Sequence, residues 1–139
     1  MISILISVLL NTLCFGVTYI MMPEISALEF LCLVILIPVI YNIVLFMKAK
    51  VIGNKPLTIV ALTAITTISY VLFGVFTSMN GVMSAFAERN SFSDGNVTIT
   101  VSENSNSMSN IMFVVLLQVC VMFCVKFMQE KREKNDTGR

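Results

Sequence analysis

Few side chains in this sequence could do chemistry, and their spacing limits what that chemistry could be. There is no histidine among the 139 residues, and the cysteines number four, Cys14, Cys32, Cys120 and Cys124, all within apolar runs. A thiol in such a setting behaves as a small hydrophobe, and no C-x-x-C motif is present to suggest disulfide exchange. Met79 with Met83 and Met108 with Met112 have the one-turn spacing of soft-metal ligands, and copper(I) accepts thioethers. With no histidine beside them they read as apolar filler, as do Cys120 and Cys124 one turn apart. Serines are abundant, but no nucleophile–base pair or phosphate-cradling glycine loop accompanies them. The expectation is a protein that is not an enzyme and holds no metal and no cofactor.

Carboxylates are the next candidates, because proton-coupled transporters need one within the membrane. Glu29 and Glu24 are the nearest, and both fall at the edge of an apolar run, where a charge can face water. The polar residues inside the runs are uncharged. They are Asn11, Asn42 and Gln118, with Thr58, Thr63, Thr66, Thr67 and Ser69 in one threonine-rich run. In lipid, such groups bond across helices, each worth about 0.6 to 2 kcal/mol. Thr63, Thr66, Thr67 and Tyr70 share one helical face, which is expected to meet other helices. The alternative is a polar path for a solute through Asn11, Thr63, Thr66 and Gln118.

The elements that must position these groups are four apolar runs, about 2–22, 28–47, 57–77 and 111–128. Only 12% of residues are charged, the mean hydropathy is +0.90, and an ordinary globular domain has about 25% charge. Each run crosses about 30 Å of hydrocarbon at 1.5 Å per residue, and in lipid only a helix satisfies its own backbone. The fold class is therefore an all-α membrane protein, one domain over 1–139 with four transmembrane helices. A loop of about 30 residues spans 78–110, and a tail spans 129–139. The first run lacks a basic flank and a small-residue cleavage site, so it reads as a retained helix. Pro38 lies inside the second run and is expected to kink it, with neighbours covering the freed carbonyl.

Orientation follows from the bases. Lys48, Lys50 and Lys55 lie in the link between runs two and three, and Lys126, Lys131, Arg132, Lys134 and Arg139 lie at the end of the chain. Only Arg89 lies in the long loop, so eight of nine bases share one side. The positive-inside rule makes that side the cytoplasm. The protein is expected in the cell membrane with both termini cytoplasmic and the loop outside. Its partners are the lipid bilayer, a membrane or cytoplasmic regulatory protein, and in one version a second copy of itself. The near-zero net charge gives no sign of nucleic-acid binding.

The loop has local order of its own. Met79, Val82, Met83 and Phe86 recur at helical spacing around Gly81, as in a short amphipathic helix at the interface. "SDGN" is turn chemistry, and "VTITV" alternates like a strand, which must find a pairing partner or lie against the bundle. Asn96-Val-Thr98 fits the glycosylation pattern, a common chance match. Candidate interaction residues are Asp94, Asn96, Thr98 and Thr100 in the loop, and Lys48, Lys50, Lys55, Lys131 and Arg132 on the opposite side.

The order of features also resembles a known family. "LISVLLNTLCFGV" opens the chain, "LVILIPVI" and "IVLFMK" follow in the second run, and "VTITVS" precedes a last helix with a basic tail. Together they resemble Msa, the modulator of SarA, a family of small staphylococcal multipass membrane proteins. The resemblance implies a membrane accessory that modulates expression of a regulator and of virulence factors, as a sensor or signal-transduction component. It implies no catalytic residues. Two other functions fit the residues, a small oligomeric transporter or channel and an immunity protein against a membrane-active peptide.

Overall fold

The computed structural model describes residues 2–48, 55–94 and 97–137. Four long helices dominate: α1 (Ile2–Met21), α2 (Ala27–Lys48), α3 (Lys55–Met79) and α5 (Met108–Thr137). All four are long and apolar enough to cross a membrane, as the composition predicts. Between α3 and α5 lie a short helix, α4 (Val82–Asn90), and a hairpin of β1 (Phe92–Asp94) and β2 (Val97–Ile99). Helix α5 continues well past the expected end of its span at 128. Its 30 residues make about 45 Å of helix, more than the hydrocarbon needs.

Side-chain pairs set the directions of the helices. Ser7 meets Asn42 and Cys14 meets Leu33, so α2 runs antiparallel to α1. Asn11 meets Thr66 and Phe15 meets Phe73, so α3 runs parallel to α1. Tyr70 reaches the residues just before α5, while Leu62 packs with Met122, so α5 returns antiparallel to α3. The four helices close a ring in the order α1, α2, α5, α3. Helix starts and ends therefore alternate between a tail end, with Lys48 and Lys55, and a loop end, with α4 and the hairpin.

The interior has three layers. At the loop end, Phe15, Phe30, Phe73, Phe86 and Val114 form one apolar core, with Phe15 and Phe73 stacked at 5.2 Å. At the tail end, Leu45, Phe46, Ile59, Leu62 and Met122 form another. Between them lies a polar layer of Ser7, Asn11, Asn42, Thr66 and Gln118, all buried. The outside is apolar, with Leu5, Leu9, Ile20 and Leu72 among the exposed residues. Lipid accepts that surface, and without a hydrophobic drive between helices, packing and hydrogen bonds must hold the bundle together.

Helix α2 is not regular. Cys32–Leu36 is a π-helical turn, in which the Ile37 N–H donates to the Cys32 carbonyl, five residues back. Pro38 follows at once. In that hydrogen-bonding frame its missing N–H would have served the Leu33 carbonyl. The Cys14 thiol on α1 donates to that carbonyl instead, at 3.1 Å. The expected neighbour that covers the proline's freed carbonyl is thus a cysteine on the facing helix.

The loop end is built by local chemistry. Gly81 sits at φ +68°, a left-handed conformation that glycine adopts without strain, and turns the chain from α3 into α4. Met83, Phe86 and Ala87 are buried against the bundle. So the amphipathic segment packs on protein, while Met79 closes α3 and remains exposed. The strand predicted in "VTITV" finds its partner next door. Phe92, Ser93 and Asp94 oppose Ile99, Thr98 and Val97, and the Ser93 and Thr98 hydroxyls meet at 3.0 Å.

Candidate functional site

Two features could carry a function: the polar layer and a cavity above it. Asn42 is the hub of the polar layer. Its Nδ2 donates to Thr66 Oγ1 at 2.9 Å and to Gln118 Oε1 at 3.2 Å, and its Oδ1 accepts from Ser7 Oγ at 3.4 Å. Asn11 Nδ2 donates to the Ser7 carbonyl at 2.8 Å and approaches Thr66 Oγ1 at 3.3 Å. One amide network therefore ties all four spans together. The aligned apolar faces around it bring Asn11, Asn42, Thr66 and Gln118 to the same level.

The other sequence candidates are placed differently. The Thr67 hydroxyl donates to the Thr63 carbonyl of its own helix. Thr63 is buried, but its hydroxyl has no partner among the described residues. Ser7 and Tyr41 join the layer without having been singled out in the sequence. Tyr41 brings its hydroxyl beside Thr66 and Asn11, where it and Asn11 Oδ1 both stand unpaired among the described residues. Ser7 was findable, because it lies one turn before Asn11 on the same face.

The cavity lies at the loop end, with a volume of about 400 Å³. Ala27, Phe30, Leu31 and Ile35 of α2 form one wall, and Asn110, Phe113 and Val114 of α5 form the other. Phe86 of α4 and Val101 and Ser105 of the loop roof it, and Tyr70 lines it from α3. It exists because the two walls diverge. Helix α2 meets α5 mainly through Ile37–Lys48, while the π-turn packs on α1.

The roof is pinned at several points. Arg89 donates to the carbonyls of Met22 at 2.6 Å and Ile25 at 2.8 Å, and also to that of Pro23. Asn90 Oδ1 accepts from the Ala27 N–H at 2.8 Å, at the start of α2. Ser26 and Glu29 form a capping box there, so Glu29 is exposed and occupied at the helix terminus. Across the cavity, the Tyr70 hydroxyl donates to the Ser105 carbonyl at 2.7 Å, and Asn106 Nδ2 donates to the Val71 carbonyl at 3.1 Å. Asn106 packs where Gly74 has no side chain; a Cβ there would lie 2.2 Å from its Oδ1.

No family model matches this chain, and no match is found among curated proteins or solved structures. The chain is a small four-span membrane protein. Among the described residues, no group of three histidine, cysteine or acidic side chains could hold a metal. The candidate interaction residues do not converge. Thr98 and Thr100 are exposed at the hairpin, and Asp94 ends β1. Lys48 and Lys131 are exposed at the opposite end, where Lys55 begins α3 and Arg132 lies on the extension of α5. Lys50 and Asn96 lie outside the described residues.

Proposed function

We propose that this protein is a non-enzymatic accessory of the cell membrane, with both termini in the cytoplasm. A signal is received at the loop end, and the tail end passes it to a cytoplasmic or membrane-bound regulatory protein. The resemblance to the Msa family supplies the output, expression of a regulator and of virulence factors. The observation that carries the reading is the roofed cavity at the loop end. It is the kind of concave, apolar, few-polar-group space that binds small ligands, and it adjoins a π-turn, an irregularity that recurs at functional sites. The distribution of bases supports the orientation. The bonding of Asn42 to Ser7, Thr66 and Gln118 favours a link between spans over a solute path.

The test is a transcript profile. Cells with the native chain, with the gene deleted, and with Val101→Trp, which fills the cavity from the roof, are compared at equal membrane levels. The filled variant is expected to reproduce the deletion profile. A native profile from a correctly inserted Val101→Trp protein would overturn the proposal.

A further inference from the structure

The same cavity has a chemistry that identifies its occupant. We infer that it takes one acyl chain of an uncharged-headed amphiphile, entering sideways from the leaflet at the loop end through the gap between α2 and α5. This deepens the proposed function by naming the ligand class, and rests on that reading only in using the same cavity.

Four observations converge. The first is depth: Phe30, Leu31 and Ile35 lie in the first turns of one span and Phe113 and Val114 in the first turns of another, so the cavity lies beside lipid chains rather than in water. The second is the doorway. Leu31 and Phe113, on opposite walls, are 50% and 55% exposed, and apolar side chains flank the route from the bilayer. The third is charge. Every lining residue is uncharged, and Arg89 is committed to three backbone carbonyls. No lining side chain offers a phosphate or carboxylate a counter-charge, the Arg89 guanidinium lying over the Phe86 ring with its donors on carbonyls, and burying an unpaired anion is costly.

The fourth observation is polarity at one end only. Ser102 and Asn110 lie together on the lining beside Ser105, whose own hydroxyl is turned toward Gly74 of α3. The Ser102 hydroxyl and the Asn110 amide can bond a ligand hydroxyl or ester carbonyl. The apolar walls take the chain, and the serine end takes a neutral head such as a glyceryl ester. The volume of about 400 Å³ falls in the ordinary range for a small ligand, which limits the occupant to one chain.

Photolabelling of the full chain in phosphatidylcholine nanodiscs tests the inference. The probe is a monoacylglycerol with a diazirine at mid-chain. Two further probes carry the same chain on a phosphoglycerol head and on no head at all. The glyceride is expected to label the peptides holding Phe30–Ile35 and Phe113–Val114, at least fivefold above the phosphoglycerol probe. Leu31→Trp, at the doorway, should cut that labelling at least fivefold, while Ile20→Trp, at a more exposed apolar position on α1, should not. Ser102→Ala should reduce glyceride labelling and leave the headless probe unchanged. Labelling that simply follows lipid exposure, or that survives Leu31→Trp, overturns the inference. A crosslink between two copies of the chain through Leu31 and Phe113 also overturns it. Specific glyceride labelling with a transcript profile insensitive to Val101→Trp would uphold the lipid site and sink the regulatory reading.

Discussion

The two halves of the bundle solve the same problem in different ways. From the polar layer to the tail end, the spans are bound by a shared amide network and a filled apolar core. At the loop end α2 and α5 separate, and Arg89 and Asn106 hold the roof over the gap by donating to backbone carbonyls. The first arrangement links side chain to side chain in lipid, where a lost partner cannot be replaced by water. The second links a roof to the bundle at the water boundary, where partners can be exchanged. The polar layer thus fixes the four spans to one another, while the roof is held by contacts that water can replace.

The largest break in this contrast should come from Asn42→Leu. Leucine fills similar space but offers Ser7, Thr66 and Gln118 nothing. Three contacts worth about 0.6 to 2 kcal/mol each set the expected loss at about 2 to 6 kcal/mol. It is read as unfolding at lower dodecyl sulfate fraction in mixed micelles. Helix α4 should keep its native hydrogen exchange until the whole bundle unfolds. A stability equal to the native protein's would mean that packing alone holds the four spans.

Arg89→Gln should do the reverse. It removes the charged donor from the Met22, Pro23 and Ile25 carbonyls, but water can serve carbonyls at this boundary. Amides of Val82–Asn90 are expected to exchange about tenfold faster, a local opening of about 1.4 kcal/mol. The global unfolding midpoint should hardly move. Equal acceleration across all four spans would show that the roof and bundle are one cooperative unit.

What the sequence disclosed follows the same division. The spans were legible because lipid demands an apolar helix, and Asn11, Asn42, Thr66 and Gln118 were legible because amides and hydroxyls are conspicuous there. Which of them meet was not, since that depends on the rotation of each helix; Thr67, three residues before Tyr70, bonds its own helix instead. The loop end was partly legible. "SDGN" marks the turn of the hairpin and "VTITV" its second strand. The bonds of Arg89 and Asn106 go to backbone carbonyls, which every residue has, so no pattern announces them. The cavity is a consequence of two diverging walls, and divergence has no residue type.

The smallest effect tests the joint between the two halves, the π-turn of α2. Cys14→Ala removes the donor from the Leu33 carbonyl, and Cys14→Ser keeps one. The alanine should cost about 0.5 to 1 kcal/mol in the same micelle assay, and the serine less. The informative measurement is the cycle with Pro38→Ala. Alanine restores a backbone N–H at position 38, which can serve the Leu33 carbonyl itself. The cost of Cys14→Ala should then fall to near zero, a coupling as large as the single effect. If Cys14→Ala costs the same with or without Pro38, the thiol only fills space. The irregular turn then owes nothing to α1, and the divergence that makes the cavity must be set by α2 alone.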